Sequence, residues 1–241
     1  MPSEQETGSS WKLLYRLGGL SAFAYVLMIL APLVLLIVAP QPPTIGGAAI
    51  LEYIASHRAV YLAELICFVG LGLPAVVVFL ALGVSLASSA RSLAALGAVI
   101  GAGSEFMGLA LASSPPSLNG GLMVLSARYA SAIEPLRSSL AAAAEALQAN
   151  TNAISPVGIL TALGILLVSI AMTKGAFPKG IAMLGMVTGA LGIPLEAFRD
   201  LVGPVYAAYG ILLPIWGIVI GIGLLRLSRG SSRLSRGSSQ R

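Results

Sequence analysis

Uninterrupted apolar stretches, about six of them and each near the ~20 residues that an α-helix needs to cross a ~30 Å hydrocarbon core, constrain this chain more than anything else in it. They fall at 20–39, 60–87, 93–112, 154–172, 181–198 and 205–225. With 57% hydrophobic and only 10% charged residues, so much apolar surface does not fit inside one water-soluble core, and the bilayer is the solvent expected for most of the chain. The expected fold is therefore all-α, a polytopic transmembrane helix bundle of about six spans. Pro74 lies inside the second and longest stretch, where a lost backbone donor predicts a kink, and Pro194 lies near the end of the short fifth stretch.

Orientation follows from the 14 basic residues, because basic loops beside span ends stay cytoplasmic. With the N-terminus inside, Lys12, Arg16, Arg91, Lys174, Lys179, Arg226, Arg229, Arg233, Arg236 and Arg241 are internal, against Arg58, Arg128, Arg137 and Arg199 outside. Neither short inner loop holds an acidic residue. The expectation is a multi-pass protein of the cell membrane with both termini cytoplasmic. The first apolar stretch is longer than the 7–15 residues of a signal peptide's core, and 37–40 offer no small-residue cleavage site, so it reads as an anchor.

A formal charge of +5 raises nucleic acid as a partner, but five of the basic residues follow the last span. The partner they suit is anionic lipid of the inner leaflet. That tail repeats itself, Arg226-Leu-Ser-Arg-Gly-Ser-Ser being followed at once by the same seven residues from Arg233. Its composition predicts disorder over 227–241, after a single transmembrane helical domain over 1–226. The single cysteine, Cys67, cannot form an intrachain disulfide.

Glycine steps of four mark helix faces that approach closely in lipid: Gly97 and Gly101, Gly185 and Gly189, Gly217 and Gly221. Packing within one chain is the default expectation for them. Two carboxylates, Glu64 and Glu105, interrupt apolar spans, and a charge there costs ~2.5 kcal/mol or more, which makes each a candidate for function. Both belong to the outer half of their spans, and a hairpin of spans two and three would let them meet. His57 and Arg58 precede span two, while Glu196, Arg199 and Asp200 close span five, so ionisable groups gather at the outer mouth. Ligand-binding candidates are accordingly Glu64, Glu105, Arg199, His57 and Glu196. Nearby carboxylates must share a proton, hold a cation or pair with a base such as Arg199.

Between spans three and four lies an outer segment, 113–152, that opens on Ser, Pro, Asn and Gly residues. From Leu122 apolar residues recur in steps of three and four at Leu125, Tyr129, Ile133, Leu136, Leu140, Ala144 and Leu147. That spacing predicts an extracytoplasmic amphipathic helix, kinked or split at Pro135 and lying across the outer mouth.

Catalytic motifs are missing. One histidine and one cysteine make neither a bis-His haem site nor a zinc cluster, and no nucleophile elbow, phosphate loop or dinucleotide fingerprint occurs. No cofactor, metal or enzymatic activity is expected. Arg16-Leu-Gly-Gly-Leu-Ser, Phe177-Pro-Lys-Gly-Ile-Ala-Met-Leu-Gly-Met-Val-Thr-Gly189 and Trp216-Gly together resemble an uncharacterised prokaryotic family of small six-helix integral membrane proteins. The resemblance implies six spans and carries no activity. Two functions are left by these readings: a non-enzymatic module that binds a small ligand, ion or lipid from the outer side, or an accessory subunit whose partners are other membrane chains. Acidic positions at fewer than two per span are too sparse for a proton path.

Overall fold

The computed structural model describes residues 11–35, 39–175 and 177–237, the side chains of 33, 200 and 230–237 excepted. It is helical nearly throughout: α1 (Lys12–Leu35), α2 (Gly47–Ser56), α3 (Arg58–Gly70), α4 (Gly72–Leu111), α5 (Gly120–Tyr129), α6 (Leu136–Asn152), α7 (Pro156–Met172), α8 (Lys179–Ala197), the single turn α9 (Arg199–Val202) and α10 (Tyr206–Gly237). Strands β1 (Ser113–Ser114) and β2 (Leu118–Asn119) pair antiparallel, Ser113 opposite Asn119, a small hairpin that the apolar pattern did not announce. Among the described residues, five stretches are long and apolar enough to cross a membrane: Lys12–Pro32, Arg58–Leu111, Leu136–Met172, Lys179–Ala197 and Gly203–Arg229. Large apolar side chains on them, Leu80, Leu96, Val99, Val187 and Ile211 among them, are exposed, as suits lipid rather than water. These features mark a membrane protein.

Two breaks interrupt the longest of those stretches. Helix α3 ends at Gly70 and α4 begins at Gly72, so Pro74 sits in the first turn of a new helix, where its missing N–H is one of the groups left unbonded anyway. The second break is at Ala90, whose φ of −151° and ψ of 60° lie outside the helical region. There α4 doubles back. Gly101 faces the Phe79 ring and Gly83 faces Ala98, contacts that a straight helix would hold roughly 33 Å apart in the first case.

The chain divides into two compact units. The first comprises 1–26, 73–106 and 156–241. Its core gathers Phe79, Leu82 and Leu86 of α4, Ile165, Val168 and Met172 of α7, and Trp216, Ile220 and Leu224 of α10. Every glycine step named from the sequence lies at a helix contact here. A side chain at Gly164 of α7 would come within 2.7 Å of the Gly101 backbone, and one at Gly189 of α8 within 2.6 Å of the Leu166 amide nitrogen. Gly221 of α10 meets the Gly19 carbonyl of α1 in the same way, at 3.2 Å. Without a hydrophobic drive between helices in lipid, such backbone approach maximises dispersion contact, and only glycine permits it. Helix α10 continues through Gly237 into the repeat that the composition reads as disordered, and 238–241 lie outside the described residues.

The second unit comprises 27–72 and 107–155. Ile50, Leu51 and Ile54 of α2, Tyr61 of α3, Leu118 of β2, Leu122 and Tyr129 of α5, and Leu140 and Ala144 of α6 form its core. Polar side chains tie it together more than in the first unit. The buried Tyr61 hydroxyl accepts from the Asn119 amide at 2.8 Å and has its single proton within reach of the carbonyls of Ser117 (2.9 Å) and Asn119 (3.1 Å). Asn119 caps α5, its side-chain oxygen accepting from Gly121 N–H at 2.8 Å, and its amide donates to Thr151 at 3.1 Å. Gln148 donates to the Pro43 carbonyl and Asn152 to that of Thr44, which fastens the segment before α2 onto α6. The chain breaks between α5 and α6 around Pro135, and the buried positions of α6 are Leu140, Ala144, Gln148 and Thr151. Ile133, expected on the apolar face, is exposed in that break.

Candidate functional site

Of the residues singled out in the sequence, Glu105, Glu196 and Arg199 belong to the first unit, and Glu64 and His57 to the second. Each set is described within its own unit.

Glu105 lies six residues before the end of α4, roughly 9 Å along the helix axis from Leu111. It faces protein because it follows the Gly101 contact by four residues and so shares that face. Only 5% of it is exposed. Thr161 of α7 donates its hydroxyl to the Glu105 carboxylate at 2.9 Å. Thr161 and Ser104 each have one proton, so Ser104 donates either to the Thr161 oxygen at 2.9 Å or to the Gly101 carbonyl at 2.7 Å. The result is a chain of hydroxyls ending on a carboxylate. Among the described residues, no Lys, Arg or His forms an ion pair with Glu105.

Glu196, near the end of α8, has a different solution to the same problem. Arg199 donates to it across one helical turn, the two forming an ion pair, and the Tyr206 hydroxyl donates to its other oxygen at 2.7 Å. Arg199 donates further to the Tyr206 oxygen at 2.9 Å and stacks over that ring at 4.8 Å. The Glu196 carboxylate sits against Gly158 in the first turn of α7, where the helix dipole favours a negative charge and a side chain larger than glycine would collide with it. Tyr25 of α1 and Tyr209 of α10 lie within electrostatic range of both Glu105 and Glu196. Tyr206 meets Tyr209 edge to face at 6.1 Å. The buried Arg199 Nε has no hydrogen-bond partner among the described residues.

A small cavity adjoins this polar group. Ala22, Tyr25, Phe79, Thr161, Ile165 and Trp216 line it, and its open volume, about 10 Å³, is near that of one water. Thr161 thus has its hydroxyl on Glu105 and its side chain in the cavity wall. Sequence reasoning found Glu105 but not Thr161, Ser104, Tyr25 or Trp216. A hydroxyl or an aromatic in an apolar span is ordinary, and only the pairing of helices makes these meet.

In the second unit Glu64 of α3 is buried, 4% exposed, and its Oε2 has no hydrogen-bond partner among the described residues. His57 stacks on the Tyr53 ring with centroids 4.7 Å apart, and its Nδ1 lies 3.2 Å from the Tyr53 carbonyl, a donor geometry. Tyr53 donates its hydroxyl to the Pro40 carbonyl at 2.6 Å, and partial burial pushes the pKa of that hydroxyl above the ordinary tyrosine value. His57 therefore reads as part of the α2–α3 corner. No group of three or more metal-ligating side chains occurs among the described residues. No protein-family model, curated protein or solved structure matches this chain.

Proposed function

We propose that this protein is a non-enzymatic membrane module that crosses the cell membrane six times, keeps both termini in the cytoplasm, and binds a small ligand from the outer side at the group centred on Glu105. The Ala90 turn supports dividing Arg58–Leu111 into two crossings, which gives six from five stretches. With that count, Arg91 falls on the inner side with other basic residues, and helices α5 and α6 fall on the outer side.

One observation carries the reading: Glu105 is buried in a long apolar stretch against a hydroxyl, with no ion-pair partner among the described residues. A carboxylate that served only to hold helices together would be expected to resemble Glu196, neutralised by Arg199 and Tyr206. An uncompensated one costs several kcal/mol and persists where a ligand or proton repays it. The accessory-subunit reading draws less support, because the glycine faces that suggested partners are filled from within the chain. Arg226, Arg229 and the repeat after them suit anionic lipid of the inner leaflet.

Native mass spectrometry of the full chain released from detergent tests this. The wild type is expected to carry a small bound mass that Glu105→Gln loses, with no stoichiometric protein partner. A Glu105→Gln protein with the same bound mass and the same thermal midpoint removes Glu105 from the account.

A further inference from the structure

We propose that the second unit holds a phospholipid site, in which Arg58 binds the phosphate of a monoanionic lipid such as phosphatidylglycerol in a pocket between the α2–α3 corner and α5. Ser126 of α5 donates to the Leu51 carbonyl of α2 at 2.7 Å, which holds the two helices together there. Beyond that bond Ala55, Ala127 and Ala130 present only methyl groups to the space between them, and an open pocket of about 250 Å³ is left, completed by Ile54, Met123 and Arg58. That is the volume of roughly eight waters, room for a phosphate with its glycerol. Arg137 of the same unit is paired with Glu52, whereas Arg58, exposed at the start of α3, has no ion pair among the described residues. No carboxylate lines the pocket, and the positive end of the α3 dipole lies at the same residue. The complementary occupant is an anion, and a guanidinium matches phosphate through two parallel N–H bonds. The surroundings make that anion a lipid. Around free phosphate, Ile54, Met123 and the alanine methyls would stay in water. Arg58 opens the apolar stretch Arg58–Leu111, the level at which headgroup phosphates lie beside a crossing helix. Leu62 and Ile66 follow Arg58 in steps of four on the same side of α3 and are 40% and 57% exposed, an apolar track roughly 12 Å long for an acyl chain. An amine-bearing headgroup finds no acidic partner in the pocket. The site is independent of Glu105, which belongs to the first unit.

The full chain, stripped of lipid in neutral detergent, is titrated with phosphatidylglycerol, phosphatidylcholine and glycerol 3-phosphate, and bound molecules are counted by native mass spectrometry. The basic tail is the same in every variant, so differences between variants read the pocket. The wild type is expected to hold one phosphatidylglycerol that Arg58→Gln binds about tenfold more weakly, the loss of one charge-assisted contact. Ala127→Leu, which keeps the arginine and fills the pocket, is expected to weaken it by a similar factor, and Arg128→Gln and Glu105→Gln to leave it unchanged. Phosphatidylcholine and glycerol 3-phosphate are expected to bind about tenfold more weakly than phosphatidylglycerol or less. Because Arg58 is exposed and unpaired, the lipid-free thermal midpoint of Arg58→Gln is expected to match that of the wild type. Undiminished affinity in Arg58→Gln or Ala127→Leu overturns the proposal, and so does equal binding of phosphatidylcholine. Glycerol 3-phosphate binding as tightly as the lipid makes the ligand a soluble phosphate and overturns it too.

Discussion

Replacing Tyr61 with Phe removes one oxygen from a fully buried side chain and leaves its shape in place, so the change isolates hydrogen bonding from packing. That oxygen accepts from the Asn119 amide and donates its single proton to the Ser117 or Asn119 carbonyl. Asn119 and Ser117 are themselves buried, and water does not replace what they lose. Two groups left unpaired, at about 1–3 kcal/mol each and the carbonyl at the lower end, put the loss at about 2–4 kcal/mol. The control is Tyr53→Phe. Its hydroxyl donates to the carbonyl of Pro40, an exposed residue that water reaches, so its loss is held below about 1 kcal/mol. Both variants are to be unfolded from mixed micelles with a rising fraction of denaturing detergent, followed by circular dichroism. Equal losses for Tyr61→Phe and Tyr53→Phe would refute the idea that the second unit is held by a buried polar network around the hairpin.

Other substitutions probe other joints. Gly164→Val drives two methyl groups into the Gly101 backbone and is expected to cost about 3 kcal/mol or more, whereas Gly180→Val, with nothing near it, leaves the unfolding midpoint unchanged. Arg199→Gln strips Glu196 of its charge partner in a largely buried setting, and a loss of about 3 kcal/mol in the same assay is expected. Asn119→Ala removes the α5 cap and the bond to Thr151, for about 1–2 kcal/mol. Arg137→Ala breaks the exposed pair with Glu52, and its unfolding midpoint is expected to coincide with that of the wild type.

What the sequence disclosed was whatever lipid imposes on a chain. Apolar length set the long helices within a few residues, except that α1 begins at Lys12, eight residues before its apolar run, because a basic first turn is tolerated at the membrane surface, and α10 runs on to Gly237, twelve residues past its own. The glycine steps were legible because close approach has one cheap solution in lipid. The interruption before Pro74 was signalled by that residue, but its place at Leu71 was not: proline is comfortable in a first turn, so the break precedes it. Helix α2 falls between the long apolar stretches and is too short to register by apolar length, although Ile50, Leu51 and Ile54 following two glycines have the spacing of a buried face. Least legible was the second unit. Tyr61, Asn119, Gln148 and Asn152 are polar residues distant in sequence, and nothing local marks them as partners. The same holds for the site. Glu105 and Glu196 stood out as charges among apolar residues, while Thr161 and Trp216 gain meaning only from the helices that bring them to Glu105.

Cysteine accessibility in intact cells tests the central claim, that the chain turns back at Ala90 on the cytoplasmic side and so crosses the membrane six times with 113–152 on the outer side. In a Cys67→Ser background, single cysteines at Ser89, Ser138 and Ser228 are treated with a membrane-impermeant maleimide before and after permeabilisation. The expected result is labelling of the residue-138 variant in intact cells and of the other two only after permeabilisation. Labelling at residue 89 from outside intact cells would contradict both the six-crossing chain and a ligand site reached from the outer face.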